Sequence, residues 1–110
     1  MNSINRYTET GRLLEKYGAL LTYHQLQVME QYYFYDLTMA EVAEEQKISR
    51  SAVSEIIKLT TEKLVEYEEK LHLLQLEMEI LPLLESLALN SQSDKQDIIN
   101  RIKERVKHGI

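Results

Sequence analysis

Residues 38–58 read Thr-Met-Ala-Glu-Val-Ala-Glu-Glu-Gln-Lys-Ile-Ser-Arg-Ser-Ala-Val-Ser-Glu-Ile-Ile-Lys. Thr38 has an N-cap side chain, and Glu41 three residues later completes a capping box, so a helix starts here. Val42 and Ala43 share one face of that helix, and Gln46 and Lys47 close it. Ile48 fills a corner, Ser49 caps a second helix, and Val53, Ile56 and Ile57 hold that second helix down. The small side chain of Ala43 lets the two helices cross closely. A small residue, a corner apolar residue, and apolar residues five and eight positions beyond the corner form the pattern of a helix-turn-helix. The second helix of such a motif can lie in a DNA major groove. The position before the corner favours glycine because it tends toward positive φ. Lys47 stands there, so either a small strain cost or a different turn is expected. The competing reading is an ordinary αα-hairpin whose apolar positions are simply core.

Around this motif the chain is rich in helix formers. It has 110 residues, enough for one small domain with a modest core, and only three Gly and one Pro to interrupt helices. Hydrophobic residues make up 44% and charged residues 28%, which excludes a disordered chain. No strand-length stretch alternates with period two, so the expected fold is all-α. Cysteine is absent, which excludes disulfides, thiolate metal sites and a thiol nucleophile. No apolar run approaches membrane-spanning length and the N-terminus lacks an apolar signal core, so a cytoplasmic protein without membrane insertion is expected. The formal net charge is −5, yet residues 94–110 carry five Lys and Arg against three acids, a local +2. The remaining body at −7 weakens any non-specific attraction to phosphate.

In chain order, a first helix is expected over 3–21, with Ser3 as cap and Ile4, Tyr7, Leu14, Tyr17 and Leu21 near one face. Gly11 and Gly18, seven residues apart, offer places for another helix to approach. Thr22 and Gln25 form a capping box for a second helix that buries Leu26, Met29 and Tyr33. The cluster Tyr32-Tyr33-Phe34-Tyr35 lacks interleaved cations, so core packing with hydroxyls at the surface is its expected role rather than base stacking.

Val53, Ile57, Thr60, Leu64, Tyr67, Leu71, Leu74, Met78 and Leu81 follow in steps of four and three. This heptad repeat predicts one unbroken helix of about 30 residues, some 45 Å long. A domain this small does not cover such a seam alone. Either the C-terminal helices fold back on it or a second subunit meets it, and a homodimer is the preferred reading. Its seam would be Leu64, Tyr67, Leu71, Leu74 and Met78. Pro82 is expected to break or kink the helix, dividing a helix-turn-helix domain at 1–81 from a C-terminal helical extension at 82–110. Ser93 and Gln96 would cap the last helix, whose Ile98, Ile99, Ile102 and Val106 form a stripe.

Chemistry is sparse. His24, His72 and His108 lack ligand spacing, and no catalytic triad, phosphate loop or dinucleotide fingerprint occurs, so neither an enzyme nor a cofactor or metal site is expected. The carboxylates Glu62, Glu66, Glu68 and Glu69 read as a solvated face. On the second helix of the motif, Arg50, Ser51, Ser54, Glu55 and Lys58 point away from the apolar side. Arg50 can contact phosphate or take guanine in a bidentate pair, Glu55 can accept from cytosine, and Lys58 can reach a phosphate.

Leu21-Thr22, the passage from Tyr32 to Thr38, Glu41-Val-Ala-Glu-Glu45, Ile48-Ser-Arg-Ser-Ala-Val53 and Tyr67-Glu-Glu-Lys-Leu-His-Leu73 together resemble the YlxM family. That resemblance, over about residues 5–80, implies a small bacterial cytoplasmic protein whose helix-turn-helix is similar to the C-terminal promoter-reading region of sigma factors. It also implies a link to the signal recognition particle, because members are commonly encoded beside that particle's GTPase. The sigma-like pattern falls on Thr38, Val42, Ala43, Ile48, Arg50, Val53 and Ile56, but Ser51, Ser54 and Glu55 stand where sigma factors place several Arg residues. Two functions follow as expectations. One is a regulator that binds double-stranded DNA as a dimer, in association with signal recognition particle components. The other is an adaptor whose motif is only a scaffold and whose acidic long helix takes a basic partner.

Overall fold

A computed structural model describes residues 7–89 and 91–108, and among them every regular element is helical. The helices are α1 (Arg12–Tyr17), α2 (Tyr23–Tyr33), α3 (Met39–Gln46), α4 (Arg50–Leu71), α5 (Leu73–Leu87) and α6 (Gln92–His108). The chain divides into two compact units, Met1–Glu69 and Lys70–Ile110. The boundary expected at Pro82 instead falls within α5.

In the first unit, α1 is shorter than the helix expected over 3–21. A π-helical turn, Tyr7–Gly11, precedes it, and a 3₁₀ turn, Gly18–Leu20, follows it. Ser3 and Ile4 lie outside the described residues. Gly18 is buried, and a Cβ there would sit 3.1 Å from Leu26 Cδ1, so its missing side chain lets this turn approach α2 closely. α2 starts as expected: the Gln25 amide donates to Thr22 Oγ1 at 3.2 Å, and the Thr22 amide donates to Gln25 Oε1 at 3.1 Å.

The core is filled by Leu13, Leu14 and Tyr17 of α1, Val28 and Met29 of α2, Val42 and Ala43 of α3, and Val53, Ile57, Thr60 and Leu64 of α4. These four α4 positions follow the expected heptad spacing, but the single chain already buries all four. Tyr17 is almost fully enclosed, donates its hydroxyl to Glu68 Oε1 at 2.5 Å, and sets its ring 5.9 Å from that of Tyr67. Half-buried Tyr32 and Tyr33 meet edge to face at 5.0 Å, in keeping with a packing role. Thr60 is fully buried, and its hydroxyl finds no hydrogen-bond partner among the described residues.

The heptad helix is not continuous. His72 takes the left-handed conformation (φ 56°, ψ 31°), which stops the intrahelical ladder of α4 and restarts the chain as α5. The expectation of one helix running to Leu81 is therefore corrected. A single residue rotated out of the right-handed basin resets the apolar repeat, a break that steps of four and three do not register. Pro82, by contrast, does not end its helix. α5 runs through it, and the Ser86 hydroxyl donates to the Pro82 carbonyl at 2.9 Å.

Within the second unit α5 and α6 pack together. Ile98 is buried on α6, and the Arg105 guanidinium pairs with the Glu79 carboxylate of α5. The cap of α6 is Ser91 rather than Ser93: the Asp94 amide reaches Ser91 Oγ at 3.4 Å, and that hydroxyl donates to Asp94 Oδ2 at 2.8 Å. The expected cap Ser93 already lies within the first turn of the helix, and Gln96 instead bonds Asn100.

Two predictions follow from this packing. Thr60→Val removes an unsatisfied buried hydroxyl at nearly constant volume and should raise the free energy of unfolding by about 1–2 kcal/mol in urea titration. The hydrogen bond from Arg105 holds the Glu79 carboxyl below its ordinary 4.5. A depressed carboxyl contributes stability above its unfolded value and loses it as pH falls through the folded value. Acidification below 4.5 should therefore loosen the α5–α6 pair, read by circular dichroism, and Arg105→Ala should remove that pH dependence.

Candidate nucleic-acid interface

The turn between α3 and α4 sets the geometry of the motif. Glu41 donates its amide to Thr38 Oγ1 at 3.1 Å, and Thr38 donates its amide to Glu41 Oε1 at 2.9 Å, so the capping box forms as expected. α3 ends where Lys47 adopts φ 57° and ψ 43°. Lys47 N–H reaches the Glu44 carbonyl at 3.3 Å, and Ile48 N–H reaches the Ala43 carbonyl at 3.0 Å. These paired bonds make a Schellman ending. Of the two outcomes expected for Lys47, the structure shows the strained one: the ordinary glycine conformation built with a lysine. Ser49 then accepts from the Ala52 amide at 3.0 Å, capping α4.

Other contacts fix α3 against α2. Gln46 Nε2 donates to Gln31 Oε1 at 3.2 Å and lies 3.5 Å from Gln27 Oε1. With Val42 and Val53 fully buried and Ala43 nearly so, α3 and α4 have little freedom to re-aim.

The five residues expected to face outward do so. Arg50, Ser51, Ser54, Glu55 and Lys58 are all exposed, and at 100° per residue they cover an arc of about 140° on α4. The first turn of α4 holds no acid, so its N-terminal amides and Arg50 present positive character without a local carboxylate. Lys47 is exposed in the preceding turn, adding a cation that the sequence reading did not include. Its signal was present in the turn itself, because a side chain at a left-handed position just before a helix cap stands beside that helix's N-terminus.

Farther along α4 the surface changes sign. Glu55, Leu59, Glu62, Glu66 and Glu69 are all exposed and follow steps of four and three, forming a narrow acidic stripe interrupted by one leucine. The first unit holds seven Lys and Arg against twelve Asp and Glu, whereas the second unit is balanced at six and six. The whole net charge of −5 therefore resides with the helix-turn-helix.

The five seam residues are not equivalent. Leu64 is fully buried in the first unit's own core, and Tyr67 is half-buried against Tyr17. Leu71 is half-buried and Leu74 buried, while Met78 is 60% exposed. The seam read from sequence thus joins core positions to surface positions. Among the described residues no group of His, Cys, Asp and Glu is placed to hold a metal ion, and no helix is long and apolar enough to cross a membrane.

The family model described as "Putative helix-turn-helix protein, YlxM / p13 like", UPF0122, matches residues 4–106. The chain belongs to the UPF0122 family. A UPF0122 protein of Lactococcus lactis subsp. cremoris strain MG1363 is 42% identical over 101 residues, covering 92% of this chain and 90% of the relative. A UPF0122 protein of Clostridium botulinum strain Alaska E43 is 40% identical over 105 residues, covering 91% of this chain and 94% of the relative. One from Clostridium perfringens strain SM101 is 46% identical over 69 residues, covering 63% of this chain and 61% of the relative. The family is thus bacterial and shares the helix-turn-helix description.

Lys47→Gly should relieve the left-handed strain in this UPF0122 chain. Its unfolding free energy in urea should rise by about 1 kcal/mol, with the helical content unchanged.

Proposed function

We propose that this protein is a non-enzymatic DNA-binding regulator that inserts the start of α4 into a major groove. The observation that carries the reading is the exposed surface of Arg50, Ser51, Ser54, Glu55 and Lys58, set on a helix held by a rigid turn and a capped N-terminus. Arg50 and Lys58 would supply the charge, with Lys47 and the first α4 amides on phosphates. Ser51, Ser54 and Glu55 would face base edges. Such a surface has few cations on an acidic unit, so binding is modest, steeply salt-dependent and strengthened by two copies engaging two half-sites. The setting we assign is the cytoplasm, and the physiological context is the signal recognition particle pathway that the YlxM resemblance implies.

A second reading is favoured by the acidic stripe of Glu55, Leu59, Glu62, Glu66 and Glu69. On that reading the motif is a scaffold, and this face binds a basic partner such as a protein component of the signal recognition particle.

A titration against random duplex DNA at several salt concentrations, with sequencing of the retained fraction, separates the two. The expected result is an enriched motif and affinity falling steeply with salt. Arg50→Ala with Lys58→Ala should weaken retention by about ten- to a hundredfold and lower the salt slope by about 2. Failure of the wild type to retain duplex even at low salt would leave α4 as a scaffold. In that case Glu66→Lys with Glu69→Lys should abolish capture of a basic partner while Arg50→Ala leaves it intact.

A further inference from the structure

The α5–α6 pair is a helical hairpin that leaves one apolar side uncovered. On α5 the residues Leu76, Ile80, Leu83 and Leu87 are half-buried and lie on one stripe. Rotated from it by roughly 70–190° at 100° per residue lie Leu84, Leu81 and Met78, which are 46%, 46% and 60% exposed. On α6 the stripe of Ile98 and Ile102 is likewise flanked, in the same rotational sense, by half-buried Ile99 and by Val106 at 61% exposure. Two antiparallel helices whose extra apolar residues lie in the same sense from their shared contact present those residues on a single side. Helical layers are stable when such a side meets another layer.

We propose that this side of the hairpin is the homodimer interface, covered by the same side of a second copy to give a four-helix arrangement. Three observations select a second copy as the occupant. First, the exposed parts of Met78, Leu81, Leu84 and Val106 amount to apolar surface on the order of 400 Å². A standard interface of about 800 Å² per partner, with about 55–60% of it apolar, needs a similar amount from each side. Second, the unit bearing this side is electrically balanced, whereas pairing through the first unit would set −5 against −5. Third, the hairpin is complementary to itself in charge. α5 carries Glu77, Glu79 and Glu85 and no cation, while α6 carries five cations against Asp94, Asp97 and Glu104. Glu79 and Arg105 are paired within the chain, but Glu85 on the arc of Leu81 and Met78, and Lys95 and Lys103 on the side of Ile99 and Val106, lie on the uncovered side. A two-fold axis can therefore bring α5 of each copy toward α6 of the other. This inference deepens the two-copy reading above and moves its centre from Leu64 to Met78, Leu81 and Leu84.

Light scattering on the full chain at tens of micromolar should give twice the 13.0 kDa of one chain. Leu81→Glu with Leu84→Glu should halve that mass without loss of helical circular dichroism, because both residues are already exposed. Val106→Glu should act in the same direction. Since the chain has no cysteine, single-cysteine variants give an independent readout. At least one of Met78→Cys, Leu81→Cys and Leu84→Cys should oxidise to a covalent dimer, whereas Ser54→Cys should not. A monomeric wild type would overturn both the two-copy reading and this interface. A dimer unaffected by Leu81→Glu with Leu84→Glu would overturn this interface alone.

Discussion

Left-handed backbone at Lys47 is the constraint on which the helix-turn-helix depends. Without it α3 would run on, Ile48 would not turn into the corner, and Ser49 would not stand before α4 as its cap. A lysine in that conformation costs about 1–2 kcal/mol relative to the right-handed basin. The surrounding structure must over-determine it, and the two Schellman bonds, the buried Val42 and Val53, and the amides of Gln46 and Gln31 do so. The same device recurs. The positive-φ residues among those described are Asp36, Lys47 and His72, and each lies where one helix gives way to the next. Gly11 and Gly18, whose backbones could adopt this conformation freely, are instead helical.

That exchange of roles explains much of what the sequence made legible and what it hid. Capping boxes at Thr22 and Thr38 are local, and their partners sit three residues away, so both were readable and both form. The corner at Ile48 and the outward set Arg50, Ser51, Ser54, Glu55 and Lys58 follow from helical spacing alone, and the structure exposes all five. The break at His72 was not readable, because histidine carries no breaking signal and the heptad count passes through it. Ser91 was passed over for Ser93 because both precede an acidic or amide side chain at the right distance, and only the helix start distinguishes them.

The fate of the heptad repeat shows a more general limit. Apolar periodicity says that a stripe is covered, and it is silent on what covers it. Leu64 and Met78 occupy equivalent positions in the repeat, yet one is fully buried in the chain's own core and the other is largely open. Near Leu64 the short α1 arrives from far away in sequence, with Tyr17 set against Tyr67 and Glu68. Likewise, Thr60 looked like one more seam position, and its buried, unpartnered hydroxyl could be known only from the packed structure.

The clasp between Tyr17 and Glu68 joins residues 51 apart, about three quarters of the length of the first unit. Contacts of such long sequence separation form only after their loop-closure entropy has been met, and they slow folding relative to local helical contacts. During synthesis the α2–α3 pair can assemble as soon as it is free of the ribosome, whereas the core around Tyr17 waits for the far end of α4. A nascent chain stopped short of Glu68 would therefore hold a finished turn on an open core, exposed to proteases and to chaperones that bind apolar surface.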